Sequence, residues 1–92
     1  MSDQTVAEVL SAADDSVALI NDVNTNGSSS DYILSGASQS EINDLIQRNV
    51  DHLEIILAYD GEYGNPDVAG SSDNKSSYTS AITTGKAYIA AN

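Results

Sequence analysis

The sequence predicts an all-α fold, a small three-helix bundle with two long loops, on three observations. Apolar residues recur at helical period in three separated stretches, a serine–glutamate capping box opens one of them, and polar runs with no period lie between them. Ninety-two residues suit one domain, 1–92. The aliphatic supply is 6 Val, 6 Leu and 8 Ile, with five Tyr but no Phe or Trp. Each such side chain, fully buried, contributes about 1.5–3 kcal/mol against a large chain-entropy cost. The expected stability is therefore modest, and a partner or self-association would add to it.

The first helix is expected over residues 3–24, where Val6, Leu10, Ala13, Val17 and Ile20 fall on one face and Val9 and Val23 widen the stripe. Ser2 or Asp3 is the expected N-cap, and the Asn/Gly cluster after Val23 is the stop. The second helix, 39–58, opens on the capping box of Ser38 and Glu41 and builds its buried face from Ile42, Ile46, Val50, Leu53 and Leu57. Asp44 and Arg48 stand one turn apart in the favourable order for an ion pair of about 0.2–0.5 kcal/mol. The third helix, 77–91, is weaker: Tyr78, Ile82, Gly85 and Ile89 share a stripe behind a cap at Ser76 or Ser77, but Thr83, Thr84 and Gly85 lower its propensity. Gly85 is either tolerated or present to let a neighbouring helix come close.

Two long connections remain, 25–37 and 59–76, and both exceed the usual 2–8 residues between bundle helices. In the first, Tyr32, Ile33 and Leu34 are expected to fold back over the open end of the core. The second reads as an arm or as a surface shaped by a partner. The alternative architecture is a helical hairpin that oligomerises, its third helix docking on a neighbouring subunit.

Charge narrows the function classes. A formal net charge of −11 disfavours direct binding to nucleic acid or to anionic membranes. There is no cysteine, hence no disulfide framework and no thiolate metal site. No secretory signal peptide and no membrane-spanning run is expected. The acids themselves have two readings, a solvated surface or a mimic of the nucleic acid backbone. The first is favoured, because Asp14-Asp15 is the only acid doublet and the acids are spread through loops as well as helices.

One motif suggests a metal. The run "DVNTNG" matches the first half of an EF-hand loop, with Asp22, Asn24 and Asn26 at positions 1, 3 and 5 and Gly27 at 6. Position 12 is Ile33 and position 8 is Ser29, so the bidentate acid is missing and only a rearranged loop could recruit Asp31. The run is read as a helix terminus, and a degenerate calcium loop is the lesser alternative. No catalytic set assembles around the lone His52, and no glycine loop or nucleophile elbow occurs. No enzymatic activity and no cofactor are expected. Tyr59 and Tyr63 are the expected contact residues, since tyrosine offers large area at low entropic cost.

The segments "RNVDHLEIILA" (Arg48 to Ala58) and "AITTGKAYIAAN" (Ala81 to Asn92) resemble parts of small acidic helical proteins of tailed bacteriophages. The resemblance covers about a quarter of the chain, in the second and third helices, and carries no catalytic motif. It implies a phage setting, in the virion or the host cytoplasm. The expected function is a non-enzymatic interaction or structural protein, most simply a small virion or assembly component that binds a protein partner or itself. The alternative is an acidic inhibitor that mimics nucleic acid and occupies a host DNA-binding protein.

Overall fold

The computed structural model describes residues 5–59 and 72–92, with the backbone alone for 72–74. Three helices, α1 (Val6–Asn26), α2 (Gln39–Ala58) and α3 (Ser72–Ala91), pack as a bundle, and a 3₁₀ turn (Gly27–Ser29) follows α1. The described residues contain no strand. The all-α three-helix expectation therefore holds.

Helix α1 starts later than expected. Its N-cap is Thr5: the Thr5 hydroxyl accepts from the Glu8 amide at 3.1 Å, and the Glu8 carboxylate accepts from the Thr5 amide at 3.1 Å. This is the same T/S-x-x-E device that opens α2, where the Ser38 hydroxyl accepts from the Glu41 amide and Glu41 Oε1 from the Ser38 amide. Both glutamates are held below the ordinary value of 4.5, first by the backbone amide of the cap residue and then by its side-chain hydroxyl. A depressed folded pKa gives stability that is fully present above the unfolded value and lost as pH falls through the lowered one. The Tm of the parent is thus expected to exceed that of an E8Q/E41Q variant above pH 4.5, with the two melting curves converging as the pH is taken lower.

The buried face of α1 also differs. It consists of Val9, Ala13, Ser16, Ile20 and Val23, while Val6 is 47% exposed and Leu10 and Val17 are only half-buried. Two helical registers, 6-10-13-17-20 and 9-13-16-20-23, share Ala13 and Ile20, so period alone cannot separate them. The first looks more apolar. The helix adopts the second, in which buried Ser16 finds polar partners on α2.

Helix α2 matches its expected span, with Ile42, Ile46, Val50 and Leu53 buried and Leu57 half-buried. It runs antiparallel to α1 and α3: Ser16 meets Asn49 and His52, Lys86 reaches Glu54, and Tyr88 reaches Gln39. Helix α3 begins at Ser72, so the expected caps Ser76 and Ser77 lie inside it. A serine-rich run carries no apolar period, and nothing in 72–76 announces helix. Tyr78, Ala81, Ile82 and Gly85 are its buried residues. Gly85 is there for close approach: a Cβ on it would sit 2.5 Å from Val50 Cγ2 and 3.2 Å from Ile46 Cγ2.

Asp44 and Arg48 do not pair. Among the described residues the ion pair is Lys86 Nζ to Glu54 Oε2 at 3.0 Å, joining α3 to α2 through half-exposed side chains and worth about 0–1 kcal/mol. Most of the second long connection, with Tyr63, lies outside the described residues.

Candidate functional site

The end of α1 builds a shaped loop. Gly27 takes φ +58° and its amide still donates to Val23 O, ending the helix. Beyond it, the Ser30 amide donates to Gly27 O (3.0 Å), the Ile33 amide to Ser30 O (3.0 Å) and the Ala37 amide to Leu34 O (3.1 Å). The last of these closes a turn over Leu34–Ala37 with Gly36 at φ +84° in its third position, the place where a type II turn requires a positive φ. Ser30 is buried and clamps the loop to the helix: its hydroxyl donates to Asp22 Oδ2 and accepts from the Tyr32 amide at 3.2 Å.

The clamp determines which side chains face in. Ile33 and Ala37 pack on the core, whereas Leu34 is 84% exposed and Tyr32 is exposed beside it. The expected triplet thus splits, and only Ile33 folds back over the core. An open groove of about 340 Å³ runs between this loop and α2, walled by Tyr32, Ile33, Leu34, Ile42 and Leu45, with Glu41 and Arg48 at its edge. An exposed apolar side chain held by hydrogen-bonded turns loses little further entropy when it is covered.

The helix terminus expected at the D-x-N-x-N-G run falls at its end, with α1 continuing to Asn26, two residues beyond the expected 24. Because the helix persists to Asn26, Asp22 and Asn24 point to opposite faces and the D-x-N-x-N-G run is not a loop. Asp22 is occupied by Asn26 Nδ2 at 2.9 Å and by Ser30, while Asp31 is exposed. No group of three acidic or histidine side chains among the described residues could hold a metal ion. Asp22 is instead the anchor of the loop.

A polar cluster missed in the sequence lies between α1 and α2. The Ser16 hydroxyl donates to Asn49 Oδ1 at 2.9 Å, and the Asn49 amide is oriented by its own donation from Nδ2 to Leu45 O at 2.9 Å. Ser16 Oγ also lies 2.8 Å from His52 Nδ1, and the imidazole is the donor there in the tautomer that leaves the serine proton on Asn49. Activation of a serine nucleophile needs the opposite direction, and Ser16 is only 3% exposed. The cluster joins the two helices. A polar residue inside the 9-13-16-20-23 stripe was its sequence signal. Ser16→Ala is expected to lower the unfolding free energy by about 1 kcal/mol, read by urea denaturation, because half-buried Asn49 and His52 lose a partner that water replaces only in part.

Tyr59 caps α2, its amide donating to Ile55 O at 3.0 Å, and its ring is partly exposed. It stands 14 residues beyond Leu45, about 20 Å along the helix axis, so it and the groove are separate surfaces. No family model matches the chain, and comparison with curated proteins and with solved structures gives no match. No helix among the described residues is long and apolar enough to cross a membrane.

Proposed function

We propose that this chain is a non-enzymatic protein-interaction protein whose contact surface is the loop face of Tyr32 and Leu34 with the adjoining groove. The observation that carries the reading is Leu34, an 84% exposed leucine on a loop held by three backbone hydrogen bonds and the Ser30–Asp22 clamp. A single exposed leucine is ordinary, but Leu34 stands with exposed Tyr32 beside a groove lined by Ile33, Ile42 and Leu45, and an apolar patch of this kind with a polar rim marks an interaction site. The two phage-like segments support a virion or assembly component as the setting, and this surface takes the place of Tyr59 and Tyr63 as the leading contact. The nucleic-acid-mimic alternative rests on net charge alone.

The test is photo-cross-linking from inside the cells in which the protein acts. A benzophenone amino acid at position 34 is expected to capture a defined protein, and the same group at exposed Asp15 is not. Equal capture at both positions, or none at 34, would overturn the reading. Capture of a nuclease or polymerase through the acidic helix faces would favour the mimic instead. Leu34→Ser is expected to change stability by no more than about 0.5 kcal/mol in thermal melts, since the side chain leaves water only in the complex.

A further inference from the structure

We propose that the groove receives a basic segment of a partner protein, which seats one large apolar side chain between Leu34 and α2 and surrounds it with lysines or arginines. This rests on the loop face being the contact surface and adds the chemistry of what covers it. The groove's volume of about 340 Å³ is at the small end of ligand-sized cavities, enough for a single anchoring side chain and too little for a packed helix. Tyr32, Ile33, Leu34, Ile42 and Leu45 supply its apolar walls, which select an apolar anchor, and Ser35, Glu41 and Arg48 supply a polar border.

The shoulders select the charge. Asp31 precedes Tyr32 on the loop, Glu41 lines the groove, and Asp44 is exposed one turn along α2, against one cation, Arg48. Glu41 also stays ionised below the ordinary carboxylate range because the Ser38 amide donates to it. A second copy of the chain is the wrong occupant. Across a two-fold axis it would set Asp31, Glu41 and Asp44 near the same acids and bring a formal charge of −11 against −11. A cationic segment meets the opposite field and is steered to it. Arg48 is the exception within the site: for a basic occupant it is a like charge, so its removal should tighten binding.

The experiment uses the full chain labelled with ¹⁵N and three synthetic probes: a lysine-rich peptide with one central leucine, the same peptide with that leucine replaced by alanine, and the same peptide with every lysine replaced by glutamate. The first is expected to shift amide resonances over residues 32–37 and 41–48. The alanine probe should bind about tenfold more weakly, the fold-change expected for losing most of a leucine's burial. The glutamate probe should not bind, added salt should weaken the first probe, and Arg48→Ala should tighten it severalfold. Leu34→Ser, checked for unchanged helicity by circular dichroism, should reduce binding of the leucine probe to that of the alanine probe.

The proposal is overturned if the glutamate probe binds as well, if Arg48→Ala abolishes binding, or if the shifts fall on the Asp14-Asp15 face and ignore the leucine. It is also overturned if the cross-link from position 34 is to a second copy of this chain. Failure of all three peptides together with a cross-link to a different protein would remove the basic chemistry while leaving the contact surface standing. No cross-link at 34 would remove the surface itself.

Discussion

Gly85→Ala is expected to destabilise the bundle by about 2 kcal/mol, although alanine is the better helix former by about 1 kcal/mol. The reason is the position of its missing side chain. A Cβ at Gly85 would lie 2.5 Å from Val50 Cγ2, 3.2 Å from Ile46 Cγ2 and 3.4 Å from Ile20 Cγ2, so methyls of both other helices converge on the α-carbon. Val50 cannot swing aside, because a β-branched side chain in a helix has essentially one χ1 rotamer. Helix α3 must then move outward and lose contact along its length. For a domain of this size each kcal/mol lowers the Tm by about 4–8 °C, which thermal melts resolve easily. In a Val50→Ala background the 2.5 Å clash is gone and only the 3.2 Å approach of Ile46 Cγ2 remains, so the same glycine substitution should cost much less than in the parent. A Gly85→Ala protein more stable than the parent would mean that α3 does not approach α2 at this point.

Ile46→Ala is expected to cost about 2–5 kcal/mol, the sum of lost transfer energy and the cavity left behind. Ile46 is 0% exposed and sits where α2 faces Gly85 of α3 and Ile20 of α1, so no single neighbour can collapse into the space. A domain of this length has about 5–14 kcal/mol in total, and the substitution removes a large part of it. Ile55 supplies the internal control. It is in the same helix but 55% exposed, and Ile55→Ala should lose no more than about 1 kcal/mol by urea denaturation. Val6 and Val23 make the same comparison in α1: Val23, fully buried, should be much the more sensitive to alanine. Equal losses at Val6 and Val23 would restore the register that the sequence suggested.

The candidate site was only partly legible. Tyr32, Ile33 and Leu34 stood out as apolar residues in a polar loop, but their sorting depended on Ser30 being buried against Asp22, eight residues earlier. Turn chemistry at Gly36 was readable in principle, whereas a serine hydroxyl that clamps a loop to a helix is one among many serines until the partners are seen. The calcium pattern drew attention to Asp22, and the structure shows that residue as the acceptor for Asn26 and Ser30 that anchors the loop. The Thr5–Glu8 cap is written as a plain T-x-x-E directly before the apolar stripe that opens at Val6, but Ser2 and Asp3 are equally good cap residues and local pattern does not choose between them.

By itself the sequence determined the helical class, the existence of three helices, and the span of α2 with its cap at Ser38 and Glu41. Those features are local, because a capping box and a 3.6-residue period act between residues within a turn of each other. The tertiary structure alone decided which of two overlapping stripes of α1 turns inward, how far α3 reaches back, and that Gly85 marks a close approach. It also decided that Lys86 pairs with Glu54 in place of Asp44 with Arg48. Each of these depends on partners more than thirty residues away, such as Ser16 with Asn49 and Gly85 with Val50, and no local pattern specifies where such partners meet. Leu34 depends on a shorter contact, the Ser30–Asp22 clamp across eight residues. Its apolar character is written in the sequence, but its exposure follows from the packing of everything beneath it.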